Sequence, residues 1–180
     1  YHAIEAGHIK GLWLIATNPL SSLPNSERVR RAMQKLEFCV VQDCYEDTES
    51  AQYAHMYLPA GTWAEKEGVM TNTERRINLV KPVVKPPGEA KPDLWVFNQM
   101  AKRFNKENKV SFPEKAADIF IEMAGISKGR LADISGMSHE LIEKNRGVQW
   151  PYTDKQLENN EVPPQGGTRL YTEAATFRYA

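Results

Sequence analysis

Little in this chain of 180 residues marks a protein that ligates its own metal, relies on disulfides or crosses a membrane. It has two cysteines, Cys39 and Cys44. They fall on or just after a predicted strand with side chains pointing in different directions, which argues against a disulfide. Without neighbouring Cys or His they cannot build a zinc or iron–sulfur site. Both are expected to be buried or partly buried free thiols. The four histidines, His2, His8, His55 and His139, share no spacing that a metal or a general base would need. No apolar run is long enough for a membrane span, and no leader-type segment is visible. Charge of either sign is not in excess: Lys+Arg and Asp+Glu both number 23. A general grip on nucleic-acid phosphates is thereby disfavoured, and an anion must be held by local groups. There is no Gly-x-Gly-x-x-Gly, no nucleoside-triphosphatase phosphate loop and no Ser-His-Asp set.

What is present is an ordinary globular composition, 41% hydrophobic, enough for one core or a core with an appendage. The chain begins at Tyr1 rather than Met and reads as a segment of a longer protein. Residues 2–9 read as a short helix. Leu12-Trp13-Leu14-Ile15-Ala16, ending in Thr17-Asn18-Pro19, reads as a buried parallel strand and loop. A helix is predicted from Ser26 to about Leu36, with Val29, Met33 and Leu36 at helical spacing. A second buried strand, Phe38-Cys39-Val40-Val41, ends at Gln42-Asp43. A helix capped by Thr48 covers 49–54, and Met56-Tyr57-Leu58 is a third strand closed by Pro59. This alternation predicts an α/β fold: a Rossmann-like, mostly parallel sheet with helices on both faces. Ligands in such sheets sit beyond the carboxyl ends of the strands, where Thr17-Asn18 and Gln42-Asp43 lie.

Residues 59–92 are rich in proline and glycine and read as a long ordered loop with one extended segment, Arg76–Val80. Helices are predicted from Pro92-Asp93 to Phe104, over 113–124, and over 138–145 capped by Ser138. From Gly147 onward the chain is turn-rich. Residues 1–146 are therefore expected to form one α/β domain, and residues 147–180 an irregular tail.

Several polar groups carry two readings from the residues alone. Asn18 after a buried strand serves as a turn residue, or as a donor and acceptor for a nucleotide's polar edge. Asp43 reads as a cap or turn residue, or as a carboxylate accepting two parallel N–H bonds from a base or ribose. Lys66, within Glu65-Lys66-Glu67-Gly68, is neutralised by its neighbours or reaches a ligand phosphate. In an extended segment Lys66 points inward and both glutamates outward, toward Arg75, Arg76 or solvent. Arg75 and Arg76 read as loop scaffold or as an anion fork.

Four ordered blocks then carry a resemblance: Leu12-Trp13-Leu14-Ile15-Ala16-Thr17-Asn18-Pro19; Val40-Val41-Gln42-Asp43; Tyr57-Leu58-Pro59-Ala60; and Trp63-Ala64-Glu65-Lys66-Glu67-Gly68-Val69-Met70-Thr71-Asn72-Thr73-Glu74-Arg75-Arg76. They resemble the third domain of molybdopterin oxidoreductases, the dimethyl-sulfoxide-reductase superfamily. Pro87-Gly88-Glu89-Ala90-Lys91-Pro92-Asp93-Leu94-Trp95 is most similar to assimilatory and periplasmic nitrate reductases. Gly147-Val148-Gln149-Trp150-Pro151 and Gly167-Thr168-Arg169-Leu170-Tyr171 resemble the end of this domain in nitrate reductases and formate dehydrogenases. Relatives usually carry Asp where this chain has His55.

The resemblance implies a domain binding the guanosine and diphosphate of Mo-bis(molybdopterin guanine dinucleotide) through Asn18, Gln42, Asp43, Lys66 and Asp93. It implies no catalytic residue and no metal ligand in this segment. The molybdenum ligand and the cysteines of a 4Fe-4S cluster belong upstream in the parent. The implied parent is a nitrate reductase catalytic subunit, or a molybdenum formate dehydrogenase. A non-catalytic relative in a respiratory complex is the reading from another class. The implied partners are the remaining domains of the same polypeptide and an electron donor protein or subunit, with no nucleic acid and no membrane. The implied compartment is the cytoplasm or the periplasm.

Overall fold

A computed structural model describes residues 1–104 and 112–163. The described residues separate into two compact units, one of residues 1–66 and 82–104, the other of residues 67–81 and 112–163. The chain thus divides otherwise than at residue 146. The segment 67–81 leaves the first unit and supplies strands to the second.

The first unit follows the sequence pattern closely. Strands β1 (Gly11–Ile15), β2 (Phe38–Asp43) and β3 (Met56–Pro59) form a parallel sheet in that order. Leu14 lies opposite Val41, and Asp43 opposite Pro59. One face is closed by helices α1 (His2–Glu5) and α3 (Ser26–Gln34). Ile4, Val29, Ala32, Met33, Cys39 and Val41 form the core there. At four residues α1 is too short to be stable alone. Ile4 holds it, at 4% exposure, since burying such a side chain contributes about 1.5–3 kcal/mol. Helix α4 (Asp93–Phe104) lies over the opposite face, its Phe97 ring 5.8 Å from Trp13. The expected parallel α/β sheet with helices on both faces is present.

Local details differ. Pro19–Ser22 makes a short helix, α2, because Pro19 presets the first helical φ. The helix expected over 49–54 is a single 3₁₀ turn, Ala51–Tyr53, whose Ala51 N–H donates to Thr48 Oγ1 at 3.3 Å. Cys39 is buried, whereas Cys44 is exposed beyond the strand end.

The second unit corrects the expected loop and tail. Strands β4 (Gly68–Thr71), β5 (Arg76–Val80) and β6 (Val148–Gln149) form an antiparallel sheet. The turn between β4 and β5 is built by Asn72, whose Oδ1 accepts from the N–H groups of Glu74 and Arg76 at 3.0 and 3.1 Å. Helices α5 (Ala116–Ser127) and α6 (His139–Lys144) belong to this unit. Ile77, Phe120, Ile142, Val148 and Tyr152 form its core. The segment expected to be irregular thus supplies a strand, buried Tyr152 and helix α7 (Asp154–Glu158) with a Thr153/Gln156 capping box. Gly167-Thr168-Arg169-Leu170-Tyr171 lie outside the described residues. Arg75 stacks over Trp150 at 5.5 Å, and Arg76 Nη1 donates to the Gly147 carbonyl at 3.3 Å.

Candidate functional site at the strand ends

The carboxyl ends of β1, β2 and β3 lie side by side in the first unit, so the groups that follow them converge. Alternation along β2 sends Gln42 and Asp43 to opposite faces of the sheet. Gln42 is fully buried, and its Nε2 donates to Asp93 Oδ1 at 2.7 Å. Asp93 opens α4, and its other carboxylate oxygen accepts from Lys66 Nζ. Gln42, Lys66 and Asp93 therefore form one connected cluster. Burial pushes the Asp93 carboxyl up, but the hydrogen bonds from Lys66 and Gln42 outweigh it and hold the group below the usual carboxylate range. Gln42 Oε1 is buried with no hydrogen-bond partner among the described residues.

Asp43 stands apart from this cluster. Its Oδ1 accepts from the Tyr45 N–H at 3.2 Å in a local turn, and its main-chain carbonyl accepts from Tyr57 Oη at 2.7 Å. Burial and the nearby Asp43 carboxylate push the Tyr57 phenol up, so it stays a donor. Asn18 makes a third, separate arrangement with Glu49 and Ser50. The Lys66 ammonium is paired with Asp93 rather than standing free, and the flanking glutamates, expected to face Arg75, Arg76 or solvent, take other partners. Glu65 Oε2 accepts from the Thr62 N–H at 2.8 Å, and Glu67 Oε1 lies 3.3 Å from His139 Nδ1. The Asp-to-His departure is accommodated: His55 Nδ1 accepts from the Cys39 N–H at 3.0 Å.

A cleft of about 480 Å³ opens beyond β2 and β3, with Tyr45, Glu46, Asp47, Tyr57, Glu65 and Glu89 in its wall. An acid-rich wall accepts from N–H and O–H donors and disfavours phosphate. Lys66, a cation of this region, is tied to Asp93. The chemistry on offer is recognition of a ligand with a donor-rich polar end. Ser50, Glu49 and the cleft tyrosines are additions that sequence reasoning missed. Thr48-Glu49-Ser50 carried only a helix-cap signal.

The family model of molybdopterin oxidoreductases matches residues 1–103. A nitrate reductase of Synechocystis sp. is 40% identical over 173 residues, which are 96% of this chain and 24% of that protein. An F420-dependent formate dehydrogenase subunit alpha of Methanocaldococcus jannaschii is 35% identical over 159 residues, 88% of this chain and 23% of that protein. Acetylene hydratase from Pelobacter acetylenicus shares the fold, with a TM-score of 0.57 and 24% identity over 79% of this chain and 18% of the hydratase. The chain thus spans about a quarter of the length of the curated relatives it matches. With the family match over more than half its length, the chain belongs to the molybdopterin oxidoreductases.

Proposed function

We propose that the strand ends of the first unit bind the guanosine end of a molybdopterin guanine dinucleotide, within the catalytic subunit of a nitrate reductase. The observation that carries this reading is the Gln42–Asp93–Lys66 cluster, partly open to solvent at Lys66 and Asp93 and with Gln42 Oε1 buried and unpartnered among the described residues, set at the carboxyl edge of a parallel sheet. The residues present fit such a group. The guanine edge offers N–H donors, for which the Asp43 carboxylate is an acceptor. Ribose hydroxyls suit the acid-lined cleft. Lys66 supplies the one positive charge of the cluster toward a diphosphate. Bound in the parent enzyme, the cofactor supplies oxygen-atom transfer at molybdenum, converting nitrate to nitrite. This chain's residues would hold and orient the group, and a 4Fe-4S cluster carried by another part of the polypeptide would supply the electrons.

The 40% identical relative favours nitrate reductase, as does the Pro87–Trp95 block. The formate dehydrogenase relative keeps the second reading open. Molybdenum content of the full-length protein separates either enzyme from a non-catalytic relative. The wall offered here is partial, so guanosine diphosphate should bind the 180-residue chain at about millimolar strength, roughly −4 kcal/mol. Calorimetry with guanosine and adenosine diphosphates tests the reading. The guanine nucleotide should bind more tightly; equal binding of the two, or none, would overturn it.

A further inference from the structure

Asn18 occupies the residue before α2, where an asparagine side chain ordinarily accepts the N–H two or three positions on. It makes no such bond. The Leu20 N–H donates instead to Ser50 Oγ at 3.2 Å, a residue 30 positions away. Ser50 is fully buried and does more than replace the cap. Its hydroxyl donates to Asn18 Oδ1 at 2.6 Å, and its main-chain N–H donates to the same oxygen at 3.3 Å.

This settles which way the Asn18 amide faces. Two donors converge on one end, so that end is the oxygen; the flipped amide would set donors against donors. The NH₂ end must then point away from Ser50. Its partner there is the exposed carboxylate of Glu49, with Nδ2 2.5 Å from Oε2. An exposed pair of this kind contributes little, because the carboxylate regains water when it leaves. The side chain spared from capping is thus oriented as a donor and occupied by a replaceable acceptor.

We infer that Asn18 is a dedicated hydrogen-bond donor to an oxygen acceptor of the bound nucleotide, with Ser50 as its positioning residue and Glu49 as the internal acceptor the ligand displaces. This rests on the proposed nucleotide site and adds two residues to it. The bond from Asn18 holds the Glu49 carboxyl below its ordinary range, so the competitor is ionised near neutral pH.

Guanosine diphosphate titrated into the 180-residue chain and its variants, followed by calorimetry and by the Asn18 side-chain NH₂ signals, tests the inference. Glu49→Ala should lower the dissociation constant about fivefold, the worth of an exposed pair. Glu37→Gln, which removes an exposed carboxylate just before β2, at the opposite end of the strand, should change it less than twofold. Ser50→Ala should raise it, and Ser50→Thr should restore it. The Asn18 NH₂ signals should follow the titration of Glu49 in the free wild-type chain and lose that dependence in Glu49→Ala. Glu37→Gln tightening binding as much as Glu49→Ala would show a general charge effect and overturn the inference, as would an unchanged constant in Glu49→Ala. Those results leave the nucleotide site standing. Failure of every variant to bind would overturn both.

Discussion

Gln42 donates from its buried amide to Asp93 across 51 residues of sequence, at 2.7 Å. This bond ties the end of β2 to the first turn of α4, where a carboxylate also meets the positive end of the helix. Lys66 closes the cluster from the other side of the carboxylate. The site is therefore also a structural joint of the first unit.

Asp93→Asn should accordingly destabilise the first unit as well as its site. It keeps the shape but removes the charge that both donors address. The expected cost is about 2 kcal/mol, within the range for hydrogen bonds to charged groups. Urea unfolding followed by Trp fluorescence reads it. A midpoint equal to wild type would show that the cluster adds nothing to folding.

Acid should expose the same joint. A carboxyl held low in the folded state stabilises above its unfolded value, about 3.9 for Asp, and that stability is lost as pH falls through the lower folded value. Asp93 behaves so. Asp133 adds the same sign: burial pushes it up, but the Ser135 and Gly129 N–H groups, donating at 2.9 and 2.7 Å, hold it down. Stability should be flat above about pH 5 and fall below about pH 4. Asp93→Asn should fall less steeply there. Equal slopes for variant and wild type would contradict the assigned shift.

In the second unit, Gly136 lets two chains approach. A Cβ at this position would lie 2.3 Å from the Thr153 carbonyl oxygen and 2.7 Å from its carbon, both main-chain atoms. Gly136→Ala must push the 152–154 segment away from the core residue Tyr152. It should cost about 1–3 kcal/mol, the usual penalty of overpacking, and lower the thermal midpoint of the second unit. A midpoint unchanged within error would show that the segment yields freely.

The first unit was legible because its first two strands are continuous apolar runs and the helix between them is amphipathic. Leu12–Ala16 and Phe38–Val41 read as unbroken apolar runs, and Ser26–Gln34 carries helical spacing. Of the second sheet only β5 was legible, as the extended segment Arg76–Val80. Strand β4 has four residues and begins at Gly68, and β6 has two that pair with a partner more than 70 positions earlier. Such short strands leave no alternation to detect. The strand-end pattern singled out Asn18, Gln42 and Asp43 and the charge cluster singled out Lys66; Asp93 became a candidate through the family resemblance, since nothing in local spacing joins residues 42, 66 and 93. Ser50 and Glu49 went unseen because side-chain bonds to Asn18 across 32 and 31 residues have no periodic signature.

The central claim is that the strand ends of the first unit hold a guanine nucleotide. Backbone amide chemical shifts of the chain, recorded during titration with guanosine diphosphate, test it most directly. The expected result is a saturable set of shifts at residues 16–18, 42–46, 60–66 and 93, with the second unit's residues 68–80 and 142–152 unmoved. Shifts confined to the second unit, or none up to concentrations well above about one millimolar, would contradict it.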